Sequence, residues 1–154
     1  MAAVYKISDD FYDDSFLLIA LHTTLEDYSM VYRLNQNLKA EFKRVKSDLD
    51  LGENGSFPLF EWQDDYDGGY WVLISNQSSK QLFLSNNDLF EHEPTASYPK
   101  LVPDLKDVDY FLKIEEGEEI DNKEILKTIL GMPRIMAAYE VETDKLKSKN
   151  NLIF

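Results

Sequence analysis

The order of apolar runs predicts an α+β fold, a largely antiparallel sheet of about six or seven strands with two helices on one face. Three observations lead there. A strand and an amphipathic helix occupy residues 16–38, a strand, a helix and a strand occupy residues 108–141, and short aromatic runs separated by turn residues fill the interval. Two strand-helix-strand units around antiparallel hairpins resemble a ferredoxin-like or ACT-like arrangement with an enlarged middle, an analogy that carries no function by itself. At 154 residues the chain is expected to form one domain, 1–154, able to bury roughly 70% of its unfolded surface.

Each element has its own reason. Phe16-Leu17-Leu18-Ile19-Ala20-Leu21 is a run of consecutive apolar residues, the pattern of a strand covered on both faces. Thr23 followed by Glu26 has the form of a capping box, so a helix is expected from there, with Leu25, Tyr28, Val31, Tyr32, Leu34 and Leu38 on its buried stripe. Asn35 falls inside that stripe and must find polar partners, either a neighbouring strand end or a ligand. Residues 39–50 alternate as an exposed strand near an edge, and Gly52-Glu53-Asn54-Gly55 reads as a turn. Phe57 to Gln63 and Tyr70 to Asn76, joined through Asp64-Asp65-Tyr66-Asp67-Gly68-Gly69, form an aromatic hairpin.

A short strand is expected at Gln81 to Leu84. Residues 85–106, holding Pro94, Pro99 and Pro103 with His92, Leu89 and Phe90, read as a long loop. Pro103 stiffens the approach to a central strand in which Val108, Tyr110, Leu112 and Ile114 alternate with Asp109, Phe111, Lys113 and Glu115. Asp121 and Glu124 supply a second cap, and Ile125, Leu126, Ile129 and Leu130 are the stripe of a helix that Gly131 and Pro133 end. A strand through Ile135, Ala137, Tyr139 and Val141 follows. Leu152-Ile153-Phe154 is an apolar end expected to be tied down.

The composition narrows the function. Hydrophobic residues make up 44% and aromatic residues 13%, so the chain is globular. The absence of cysteine removes disulfides, thiolate metal sites and cysteine nucleophiles. A formal charge of −13 repels the phosphate backbone, which makes nucleic acid an unlikely partner class. The N-terminus lacks a signal-peptide layout and the longest apolar run is too short to cross a bilayer, so a soluble cytoplasmic protein with no membrane association is expected.

Val102-Pro103-Asp104, three residues, then Val108-Asp109-Tyr110 resembles the signature of the IPExxxVDY family, small proteins of Bacteroidetes named for that motif. Val102 stands where the motif has Ile, and Asp104 where it has Glu. The resemblance extends to the N-terminal strand and helix and to the closing residues 146–154, so it covers essentially the whole chain. It implies a cytoplasmic bacterial protein and brings no catalytic residues. Within the motif the two acids are read as structural: Asp104 capping the turn after Pro103, Asp109 bonding the loop of a neighbouring strand.

No catalytic set, metal site or cofactor motif stands out. The histidines His22 and His92 are far apart, and there is no phosphate-cradling glycine loop, GxSxG or HExxH. The aspartates at 9, 10, 13 and 14 read as a solvated charged turn. The candidate ligand-binding residues are His22, Thr23 and Thr24 at the first strand-helix junction, where exposed N–H groups suit a small anion, together with Asn35. Residues 104–124 hold nine acids against three lysines and residues 39–46 hold four basic residues against one acid, a separation suited to a homodimer or a charged protein partner. The expected function is therefore a non-enzymatic binding or adaptor/regulatory module. The alternative is an enzyme or enzyme subunit with a site built from His22, Asp104, Asp109 and the 85–106 loop.

Overall fold

The computed structural model describes residues 16–66, 69–84, 95–115 and 121–154. In chain order its elements are β1 (Leu17–Thr23), α1 (Asp27–Leu38), β2 (Lys43–Arg44), β3 (Leu49–Asp50), β4 (Ser56–Phe57), β5 (Leu59–Gln63), β6 (Tyr70–Ser75), β7 (Leu82–Leu84), β8 (Thr95–Ser97), β9 (Tyr110–Glu115), α2 (Asn122–Leu130) and β10 (Ile135–Glu140). The fold is α+β. Six strands form one antiparallel sheet in the order β10-β1-β9-β6-β5-β2, and β3-β4 and β7-β8 are separate two-stranded pairs. No helix among the described residues is long and apolar enough to cross a membrane.

Strand alternation divides the core in two. Ile19 and Leu21 of β1, Leu73 of β6 and Tyr110, Leu112 and Ile114 of β9 face both helices, meeting Met30, Val31 and Leu34 of α1 and Ile129 of α2. On the opposite face Leu18, Ala20, Val72, Ile74 and Phe111 pack under Phe57 of β4 and under segments that contribute Leu101, Val102, Val108 and Leu152. Burying each large aliphatic side chain contributes about 1.5–3 kcal/mol, so the loops covering the second face stabilise the sheet much as the helices do.

β9 lies between β1 and β6 inside the sheet, and it is not half-buried as its alternation implies. Both faces are covered, and Lys113 is only 2% exposed. Its Nζ pairs with Glu115 Oε1 at 2.6 Å and lies over the rings of Phe16 and Phe154 at 4.8 and 4.3 Å. A carboxylate and two aromatic faces thus replace the water that a buried ammonium loses. Val108 does not share the helix-facing side with Tyr110. It precedes the strand and packs with Phe111 on the loop-covered face.

The first helix also differs from expectation. It begins at Asp27, with Glu26 at the N-cap and no side-chain cap bond, because Thr23 remains in β1 and its hydroxyl is engaged elsewhere. The buried stripe is Met30, Val31 and Leu34, whereas Tyr28 and Tyr32 are 68% and 64% exposed. Residues 39–50 form two dipeptide strands, not one long strand. The expected 85–106 loop contains β8, which pairs with β7, and a 3-10 turn at Pro103–Leu105. Leu89, Phe90, His92 and the aspartates at 9, 10, 13 and 14 lie outside the described residues.

Other expectations agree with the structure. Asp121 Oδ1 accepts from the N–H groups of Lys123 and Glu124, capping α2. The hairpin pairs Gln63 with Tyr70 and Leu59 with Ile74. Gly55 has φ 110 and closes the turn before β4, a conformation costly for a residue with a Cβ. Leu152 is fully buried, which ties down the C-terminal segment.

Candidate functional site

The motif residues sit where the loop-covered face turns into the sheet, and the chain itself engages their polar groups. Pro103 starts the 3-10 turn. Asp104 accepts from the Lys147 N–H and the Ser148 hydroxyl, both at 2.8 Å, which clamps the turn to the C-terminal segment. These two donors hold its carboxyl below the usual carboxylate range. Asp109 Oδ2 accepts from the Thr23 N–H at 2.9 Å, joining the start of β9 to the end of β1. The Tyr110 hydroxyl donates to the Leu25 carbonyl at 2.9 Å, and burial pushes that phenol's pKa upward.

A residue that sequence reasoning missed organises this junction. Asn76 is fully buried; its Nδ2 donates to the carbonyls of Leu105 and Val108 at 3.0 and 2.8 Å, and its Oδ1 accepts from the Val102 N–H at 2.9 Å. Its backbone bonds Asp109 and Leu101 as well. One amide thereby fastens three carbonyl or amide groups between residues 102 and 108 to the end of β6. The available signal was a polar residue closing an otherwise buried strand.

The structure separates the residues proposed for ligand binding. Thr23 is buried, donating to the Arg134 carbonyl at 2.8 Å and accepting from the Leu25 N–H. Thr24 is exposed. Asn35 lies at the far end of α1, where its side chain receives the Phe42 N–H at 2.8 Å and donates to the Phe42 carbonyl at 3.3 Å. That is the strand-end reading, a clip holding the segment after the helix. At the helix start Glu26 and Asp27 place two carboxylates where an anion would approach.

His22 occupies a different setting. It shares a 3.0 Å hydrogen bond with the Tyr139 hydroxyl of β10. With Pro103, Asp104, Lys106, Asp107 and Tyr139 it lines an open cleft of about 440 Å³. This brings His22 and Asp104 to one surface, as the enzyme alternative requires, while Asp109 turns towards Thr23. A histidine base needs an orienting acceptor within hydrogen-bond reach. Among the described residues His22 has a phenol there and no carboxylate. Nothing in the primary sequence joins position 22 to position 139; the sheet register, which sets His22 opposite Ala137, makes Tyr139 its diagonal neighbour.

A second surface lies along α1. Tyr28, Ser29, Tyr32 and Arg33 of the helix, with Leu25 and Arg134, line a groove of about 440 Å³. The Tyr28 ring meets Phe60 edge-on at 5.7 Å, which anchors it while most of its surface faces solvent. Arg134, in the bend between α2 and β10, has φ 68, a left-handed conformation uncommon outside glycine, stabilised by the Thr23 hydroxyl bonding its carbonyl. Tyrosine and arginine are enriched at the centres of protein interfaces, since each offers a large contact area and a polar tip.

Among the described residues no group of three or more His, Asp or Glu side chains is placed to hold a metal ion. No family model, no curated protein and no solved structure matches the chain.

Proposed function

We propose that this chain is a cytoplasmic, non-enzymatic binding or adaptor/regulatory module of the IPExxxVDY family, and that the solvent face of α1 is its working surface. The observation that carries the reading is the pair of exposed tyrosines beside the groove. The helix already buries Met30, Val31 and Leu34 against the sheet, so Tyr32, and most of Tyr28 beyond its edge contact with Phe60, are extra to what folding needs. Family membership is supported by the motif, whose acids and tyrosine each bond a specific backbone group. A ferredoxin-like frame is supported by β1, α1, β6, β9, α2 and β10 alone: a strand-helix-strand-strand-helix-strand order with the four strands arranged β10-β1-β9-β6.

The test is capture from the native host with a tagged chain, comparing the parent with the Tyr28→Ser/Tyr32→Ser double variant. The reading predicts a partner protein that the parent retains and the double variant loses, with similar melting temperatures for both. The same set recovered with both proteins would contradict it. A small anion at His22-Thr23-Thr24 is a weaker version of the same idea, tested by whether phosphate or sulfate raises the melting temperature.

The enzyme reading is favoured by one observation, the cleft that His22 shares with Asp104, Asp107 and Tyr139. It requires a metabolite that the parent transforms and a His22→Ala variant does not.

A further inference from the structure

Building on the reading of α1 as a contact surface, we propose that its groove takes an acidic segment of a partner protein, with carboxylates received by Arg33 and Arg134 and an apolar side chain set against Tyr28 and Tyr32. The argument starts from charge. This chain carries 29 acidic against 16 basic side chains, so an arginine on its surface has carboxylates to choose from. The described ion pairs are Arg44 with Asp48, Lys113 with Glu115, Lys145 with Glu142 and Lys149 with Asp144. Arg33 and Arg134 are in none of them. The side chains that bond these two residues reach their carbonyls, which accept from the Asn37 amide and the Thr23 hydroxyl; both residues line the groove, and neither guanidinium has a hydrogen-bond or ion-pair partner among the described residues.

The chemistry of those groups selects the occupant. A guanidinium presents donors in a planar fork matched to a carboxylate, and holding two forks beside two phenols offers several donors around one apolar strip. The phenol rings provide stacking area at low conformational cost. A basic segment would meet two cations at the groove, an acidic one must reach them clear of Glu26 and Asp27 at the helix start, and a purely apolar one would leave both guanidinium groups to be desolvated without a partner. The remaining surface is strongly acidic and repels a long acidic chain, so recognition is confined to a short segment that reaches the groove. The left-handed backbone at Arg134 sets the direction in which its side chain leaves the main chain, and the Thr23 hydroxyl bond anchors that peptide to the end of β1.

The test is an amide chemical-shift titration of the ¹⁵N-labelled full chain with a short glutamate/leucine peptide and with its glutamine/leucine counterpart. The proposal predicts shifts at Tyr28, Tyr32, Arg33 and Arg134 with the acidic peptide, weakened by added salt and absent with the glutamine peptide. An Arg33→Gln/Arg134→Gln variant with an otherwise unchanged spectrum should bind at least about tenfold more weakly. No localised shifts, shifts elsewhere, equal shifts with both peptides, or undiminished binding by the arginine variant would overturn the proposal. In each of those cases the contact reading of α1 still stands if the Tyr28→Ser/Tyr32→Ser protein loses its native partner, and falls with the proposal if it does not.

Discussion

Replacing Asn76 with Ala should be among the most damaging single changes in the chain, although Asn76 itself lines neither the cleft nor the groove. The substitution removes three side-chain hydrogen bonds. The Leu105 carbonyl keeps the bond it accepts from the Val108 N–H at 3.1 Å, so the groups deprived are the Val102 N–H and the Val108 carbonyl. A buried polar group left without a partner costs about 1–3 kcal/mol. Two of them give about 2–6 kcal/mol, or a melting temperature lower by roughly 4–24 °C at this chain length. Asn76→Asp refines the test. The introduced carboxylate still accepts from Val102, but its second oxygen faces two carbonyls, so the charged form is disfavoured and the carboxyl pKa rises on folding. A group of that kind stabilises when protonated, so the Asn76→Asp variant should recover stability as pH falls towards 5 and lose it as pH rises. Thermal melts at several pH values, with the exposed-helix variant Gln36→Ala as control, decide the matter. A loss for Asn76→Ala no larger than the control's would refute the assignment of this amide as the fastener of the 102–108 segment.

Three further outcomes are expected. Tyr110→Phe deletes the bond to the Leu25 carbonyl and should cost about 1 kcal/mol at neutral pH; because burial raises this phenol's pKa, the parent should lose more stability above about pH 10 than the variant, in which Tyr70 still contributes, and alkaline melts would reveal the difference. Asp104→Asn should lower the melting temperature at neutral pH, and since the folded-state pKa is depressed, the gap between parent and variant should close as pH falls below about 4. Lys39 ends α1 in the left-handed region with φ 54, so Lys39→Gly should raise stability by about 0.5–1 kcal/mol in a urea melt, where any other helix-end residue would lose from the same change.

Local pattern made much of this fold legible. The run Phe16-Leu17-Leu18-Ile19-Ala20-Leu21, the cap at Asp121 and the alternation through Leu112 depend on residues close in sequence, and the structure places β1, α2 and β9 accordingly. Errors arose where distant residues competed. Thr23 has the composition of a cap, yet its hydroxyl is held by the Arg134 carbonyl and its N–H by Asp109, so the helix starts later. Tyr28 and Tyr32 fit an apolar stripe by spacing, but the sheet faces Met30 and Leu34. The alternation through Lys113 does not reveal that this ammonium is buried, because nothing nearby in sequence shows that Phe154 and Phe16 cover it. The candidate sites were least legible of all: the His22 cleft depends on the β1–β10 register, and the α1 groove on a bend more than a hundred residues away in sequence, at Arg134.

If, as proposed, the motif builds the scaffold and α1 makes the contacts, affinity and stability should separate between variants at the two places. Affinity for the partner retained from the native host, measured by calorimetry at a temperature where every protein is folded, tests it most directly. Tyr28→Ser/Tyr32→Ser should weaken binding by at least about tenfold, about 1.4 kcal/mol, with a smaller change in melting temperature than Tyr110→Phe, which should lower melting and leave affinity essentially unchanged. Unaltered affinity in the tyrosine pair, or affinity that follows melting temperature across all the variants, would contradict it.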